Sequence, residues 1–492
     1  MFYFSLVKQR FFLLIVLTGI ILYSFTGELV AYGGGAGWDG MTYYSIVKDF
    51  DVLIKSHGID SYHMTRILPF AINHYILSIL NIEITIQSAL VCAKLLNFIF
   101  LALLVFYFFK ISGELKWSMN TELIAFSFCF FNFPVLKLFG YYPLLCDCPA
   151  LLLSYMGVYY YLKRNLWCMG GVGLLAMLTW PFLCVILFFL ALFPRDKVMY
   201  SSMRGSSISI GIRCIYVLFV PFFYFIPVIA YKLGYSALEV FGFVRPPVSM
   251  VLFYLSIVFT MIFYAISASV FEVDWSQIFD KILEKSFLWK FIFFSALFIS
   301  LMHGITCLGS KEQHSIYRQI VMMARYSTSD ILVFLETHFL YLGLFFLLIL
   351  LLWRRIVEIV CNNYGIGYLF VLMLALFFLI EIETRKLISF YPIMLIPLMD
   401  CLQRQKLKPS VVYSIPILCL FCSFCWLPIN TPDIGLAFDK PVPTYLEFPA
   451  QRYFMFFGPW QSHQVYLIVS LIEIITGIII VLLWKKGYLV NG

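Results

Sequence analysis

Runs of about 17 to 25 apolar residues recur from one end of this chain to the other, each long enough for a helix to cross roughly 30 Å of hydrocarbon. They start near Phe11, Ile86, Thr121, Pro149, Leu166, Phe182, Cys214, Val248, Phe287, Ile331, Tyr364, Leu387, Ser410 and Gln464, about 14 segments, the fifth and sixth forming a short hairpin. No stretch between them has the length of an ordinary soluble domain. Hydrophobic residues make up 62% of the chain and charged residues 12%, far from the mix of a soluble protein. The sequence therefore predicts an all-α, polytopic transmembrane helical bundle of about 12–14 spans, a single integral-membrane domain over residues 1–492.

Lys8 and Arg10 precede the first apolar stretch, but no small-residue cleavage site follows, so it reads as a retained span rather than a signal peptide. With the N-terminus cytoplasmic, Lys110, Lys116, Lys163, Arg164, Arg354, Arg355, Lys485 and Lys486 all fall inside, as the positive-inside rule requires. Both termini are then cytoplasmic. The expected location is a bacterial cytoplasmic (inner) membrane, an endoplasmic-reticulum membrane being physically equivalent. The segments facing out include a first loop over 32–85 with interfacial helices, a turn from Phe139 to Cys148, Cys307 to Asp330, Glu381 to Lys386, and a proline-rich C-terminal loop over 427–463.

The net charge of +8 does not point to nucleic acid, because the basic residues are spread along cytoplasmic loops and mostly encode topology. The 13 cysteines lie mainly in apolar runs, where Cys behaves as a small hydrophobe. Cys419, Cys422 and Cys425 have C-x2-C-x2-C spacing but no fourth ligand nearby. The glycines from Gly33 to Gly37 lack the Lys-Ser/Thr ending of a phosphate loop, and neither a zinc-protease His-Glu-x-x-His nor a Gly-x-Ser-x-Gly elbow occurs.

The outward segments hold ionisable groups that topology alone does not require. Asp39 stands in Gly37-Trp38-Asp39-Gly40-Met41-Thr42-Tyr43-Tyr44, just past the first span, where a carboxylate must be solvated or paired. Asp147 stands in Cys146-Asp147-Cys148-Pro149, where proximity to a helix N-terminus would also account for it. Arg318 and Arg325, seven residues apart, share one face of a helix, and Glu383-Thr384-Arg385-Lys386 lies between two spans. Arginine there suits a phosphate, internal pairing of Glu383 with Arg385 or a neighbour being the alternative. Lys94, Glu336 and His338 interrupt apolar runs, Lys94 as a residue free to snorkel and the other two as a candidate cavity floor.

Trp38-Asp39-Gly40-Met41-Thr42-Tyr43-Tyr44, followed by Tyr62 and Arg66-Ile67-Leu68-Pro69, resembles the outward first loop of the GT-C superfamily of integral-membrane glycosyltransferases, of the bacterial polyprenyl-phosphate-sugar-dependent type. The Asp147-Cys148-Pro149-Ala150 turn is similar to the family's second acidic turn, and Glu383-Thr384-Arg385 before Tyr391-Pro392 resembles a late Glu-x-Arg segment of some members. The likeness covers mainly the first 200 residues and rests on short motifs. It departs at Leu178-Thr179-Trp180-Pro181, where relatives often carry an arginine before the proline; if that arginine binds phosphate in them, either another basic residue serves here or the donor differs.

The resemblance implies a GT-C-like fold and transfer of a sugar from a polyprenyl-phosphate donor to a glycan or lipid acceptor on the outer face, in cell-surface glycan or glycolipid assembly. Asp39 is then the general base and Asp147 orients it or the acceptor. Arg385, Lys386, Arg318 or Arg325 stabilises the leaving phosphate. Tyr43, Arg66, Glu383 and His338 complete the expected substrate-binding set. Membrane lipids are the other expected partner; two scattered acids admit a divalent cation without requiring one. A multispan lipid or solute transporter, or a polysaccharide polymerase or ligase of another family, shares the outward loops and buried charges, but no internal repeat of the transporter kind is visible.

Overall fold

The computed structural model describes residues 2–193, 207–232, 250–310, 324, 327–328, 330–405, 407–423, 425–426, 429–430 and 463–486. Arg318, Arg325 and nearly all of the 427–463 loop lie outside these residues. Among the described residues there are helices and two isolated bridges but no strand, and the chain is a multi-pass membrane protein.

Among the described residues, seven helices are long and apolar enough to cross a membrane: Leu6–Thr26, Ile86–Leu115, Ile208–Ile226, Val251–Ala268, Lys285–Cys307, Thr384–Arg404 and Tyr466–Lys485. An eighth span forms if Met119–Phe130 and Pro134–Tyr141, bent by 52°, are counted together. The bend follows from Pro134, which has no amide to donate. Asn132 compensates: its Nδ2 donates to the carbonyls of Phe128 (2.8 Å) and Cys129 (2.9 Å), and its Oδ1 accepts from the amide of Val135 (3.1 Å).

About 14 apolar segments thus resolve into fewer full-length spans. Leu166–Met177 and Pro181–Leu192 have 12 residues each, roughly 18 Å of helix, and pack on one another instead of crossing singly. The segment starting near Ile331 breaks at Gly343, whose φ of +60° and ψ of −141° divide Val333–Leu342 from Leu344–Asn363.

The expected interfacial helix is Leu68–Ile79. Pro69, Phe70, Asn73, His74 and Leu77 form its buried stripe at helical spacing, while Tyr75 and Ile79 face outward. Asn73 Nδ2 donates to the Ala89 carbonyl at 3.0 Å, tying this helix to Ile86–Leu115.

Buried charges act as staples at both ends of the bundle. Glu122 accepts both arms of Arg10, at 2.7 and 2.6 Å, together with the Ser112 hydroxyl. Lys94 does not snorkel: its Nζ donates at 2.5 Å to the Phe25 carbonyl, one of the orphaned acceptors in the last turn of Phe2–Thr26.

Candidate functional site

The glycine run after the first helix turns the chain back on itself, with Val30 bridging Gly35 and the Val30 amide donating to the Tyr141 carbonyl at 3.0 Å. The turn ends at Gly37, and the helix Trp38–Lys48 starts at once, with Asp39 in its first turn. Gly37 has φ +73°, and a Cβ there would lie 2.4 Å from the Tyr142 ring. The Gly40 amide donates to the Tyr142 hydroxyl at 3.1 Å. Two glycines flanking Asp39 therefore seat one tyrosine, and that tyrosine carries the turn leading to Asp147. The two acidic segments are locked together by side-chain packing that neither shows in isolation.

Arg385 completes the cluster. It follows a short turn after Ile366–Phe378, and its Nη2 donates to Asp39 Oδ2 at 2.9 Å. The Arg385 side chain is 14% exposed and that of Asp39 41%, so the cation is held in the protein while the carboxylate keeps an open side. Asp147 opens the helix Asp147–Leu162 and is buried, and its Oδ1 has no hydrogen-bond partner among the described residues. Burial pushes its carboxyl up to about 6; the Arg385 charge opposes this, and those of Asp39 and Glu383 add to it. Asp39, Asp147, Glu383 and Arg385 therefore form one electrostatic unit.

Lys386 is engaged next door, at 2.6 Å from Glu383 and 3.5 Å from Glu381. Burial raises the Glu381 carboxyl, with Lys386 opposing it. Glu383 titrates low despite its burial because Lys386 and Arg385 hold it ionised. Of the alternatives for Glu383, pairing with a neighbour is what the structure contains.

The remaining candidates fall into two groups. Arg66 belongs to the site: its guanidinium lies 3.7 Å from the centre of the Tyr62 ring and 5.5 Å from that of Trp180, and it donates to the Tyr62 carbonyl at 3.0 Å. A cation thus stands against the Leu178-Thr179-Trp180-Pro181 turn although that turn has none of its own. Tyr43 and His338 lie behind the site as supports. Tyr43 is buried and stacks on Phe70 with ring centres 4.0 Å apart. His338 spends both ring nitrogens on the turn ahead of Arg385, Nδ1 against Thr384 Oγ1 (2.8 Å) and Nε2 against the Leu379 carbonyl (2.9 Å). It fixes where Arg385 starts instead of opening into a cavity floor.

Several residues of this region carry no marker in the one-dimensional motifs. Glu28 accepts from Lys137 Nζ (2.8 Å), the Ile429 amide (2.6 Å) and the Asn430 amide (2.9 Å), and the Tyr141 hydroxyl donates to Asn430 Oδ1 (2.6 Å). Burial opposes ionisation of Glu28, but Lys137 and the two amides outweigh it and hold the carboxyl low. Ile429 and Asn430 are thereby pinned beside the Asp39 turn. Lys137, a cation inside an apolar run, is the signal that could have pointed here.

Among the described residues no group of three or more His, Cys, Asp or Glu side chains is placed to hold a metal ion, Cys419, Cys422 and Cys425 included. Asp39 faces a guanidinium, a poor neighbour for a divalent cation, so no step is assigned to one. No protein-family model matches the chain, and neither any curated protein nor any solved structure is significantly similar to it.

Proposed function

We propose that this chain is a membrane glycosyltransferase, GT-C-like, that transfers a sugar from a polyprenyl-phosphate donor to a glycan or lipid acceptor. The observation that carries the reading is the meeting of Asp39, Arg385, Asp147 and Arg66 at one end of a multi-pass helical bundle. A carboxylate with an open side beside fixed guanidinium groups is the minimum set that this chemistry needs. One group must take a proton from the acceptor hydroxyl, and cations must receive the charge left on the lipid phosphate.

The acceptor oxygen attacks the anomeric carbon and gives its proton to Asp39. The bond between that carbon and the phosphate oxygen breaks, and the electron pair leaves on polyprenyl phosphate, beside Arg385 and Arg66. The activated bond is already in the donor, so no nucleotide enters the step. Arg385 Nη2 donates to Asp39 before substrate arrives, and a donor phosphate competes for the same guanidinium. Donor binding therefore leaves Asp39 free to act as a base. Asp147, buried within reach of both charges, positions the pair, and Glu383 and Lys386 brace the turn that carries Arg385.

The test is release of polyprenyl phosphate by purified protein in lipid vesicles, with a panel of polyprenyl-phosphate sugars and glycan or lipid acceptors. Acceptor-dependent release is expected. Movement of the intact donor across the vesicle without bond cleavage would instead identify a transporter.

A further inference from the structure

The far end of the bundle carries a second arrangement, independent of the one above. The Tyr466 hydroxyl donates to the Ile331 carbonyl at 2.6 Å, just ahead of the Val333–Leu342 helix whose His338 supports the Arg385 turn. Nineteen residues after Tyr466, along the helix His463–Lys485, stands Lys485, roughly 28 Å away and about one hydrocarbon thickness along that helix. At that level the helices Leu344–Asn363 and His463–Lys485 leave a groove between them. Its walls are apolar, Leu348, Leu352 and Ile480 among them, and its mouth is formed by Arg355, Trp484 and Lys485.

The chemistry of the groove is one-sided. Arg355 lies 6.0 Å from the centre of the Trp484 ring, and neither it nor Lys485 forms an ion pair among the described residues. No carboxylate lines the groove. The neighbouring pocket at the same end also has two arginines, Arg213 and Arg354, but it includes Glu272 and so offsets part of its own charge. Hydrocarbon is the natural filling of an apolar groove that opens to a bilayer, and cations at its mouth add a demand for negative charge at headgroup depth.

We infer that this groove binds an anionic phospholipid, with its phosphate between Arg355 and Lys485, its glycerol edge against Trp484 and one acyl chain along the Leu348–Ile480 wall. The indole suits the boundary between headgroup and chain. The two helices that form the groove carry none of Asp39, Arg66, Asp147 or Arg385, so the site stands whether or not the chain transfers sugars.

The experiment is native mass spectrometry of the purified full chain, titrated with phosphatidylglycerol or phosphatidylcholine. The intact protein is expected to retain phosphatidylglycerol preferentially. Arg355→Gln with Lys485→Gln should weaken that retention about thirtyfold, two headgroup-level cations being removed, and leave phosphatidylcholine unaffected. The charge-keeping pair Arg355→Lys with Lys485→Arg should retain the lipid, which separates a lost site from a misfolded variant. Leu351→Trp, which fills the groove and keeps both cations, should also lose it. Equal retention of the two lipids by the intact protein, undiminished phosphatidylglycerol in the double glutamine variant, or displacement of the lipid by inorganic phosphate alone would overturn the inference.

Discussion

Arg385 donates from Nη2 to Oδ2 of Asp39 at 2.9 Å although 346 residues of chain separate them. The pair joins the helix Trp38–Lys48 to the turn after the Ile366–Phe378 helix, and the groups around it determine what its removal does. Asp147 and Glu383 also feel the Arg385 charge, so the guanidinium balances three carboxylates and not one.

Arg385→Ala should raise the KM for a polyprenyl-phosphate sugar at least tenfold and change that for the acceptor far less. The stability cost should be about 2 kcal/mol, between that of an exposed and a buried ion pair. Initial rates against each substrate, beside thermal unfolding in detergent, check this. Equal effects on the two KM values would remove Arg385 from the phosphate role.

Asp147 provides a pH test. Its folded carboxyl sits at about 6, above the ordinary 3.8, because it is buried, with Arg385 opposing and Asp39 and Glu383 reinforcing. Between these values the folded state binds more protons than the unfolded chain, so stability falls as pH rises from about 4 to about 6 and levels off above. Asp147→Asn should remove that part of the slope, worth at most about 3 kcal/mol. Glu381 is also raised by burial, so the difference between variant and parent, not the parent curve alone, is the informative quantity. Thermal unfolding at pH 4, 5, 6 and 7 measures it, and identical pH profiles would contradict the assignment.

Gly37→Ala should destabilise the protein by about 1–3 kcal/mol, since alanine is strained at φ +73° and its Cβ would enter the Tyr142 ring. Tyr142→Phe keeps the ring on its seat and loses only the acceptor for the Gly40 amide, about 1 kcal/mol. If the seat aligns Asp39 with Asp147, transfer activity should drop strongly in the alanine variant and mildly in the phenylalanine one. Chemical denaturation and the transfer assay, run on both, separate strain from the lost hydrogen bond.

The membrane class and the separate charges were legible from the chain because both are local properties: an apolar run is apolar whatever it packs against, and a charged Asp39 or Arg385 stands out from its neighbours. Their pairing was not, since no spacing rule reaches across 346 residues. Among the described residues, full-length spans are fewer than apolar runs for a local reason of another kind. Gly343 interrupts a helix without interrupting hydrophobicity, so length of run exceeds length of helix there. Lys94 looked like a snorkelling cation because the carbonyl it caps belongs to a different helix. Gly37 and Gly40 read as turn residues, and their second use, as a seat for Tyr142, exists only in three dimensions.

The most direct measurement is single-turnover sugar transfer by Asp39→Asn in lipid vesicles, with a donor that the parent protein uses. Loss of the base should slow the step by about 10²–10⁴-fold. Donor binding, read separately by retention of the lipid, should persist because Arg385 is intact and no longer neutralised by a carboxylate. A variant that releases polyprenyl phosphate at the parent rate would contradict the account at its centre.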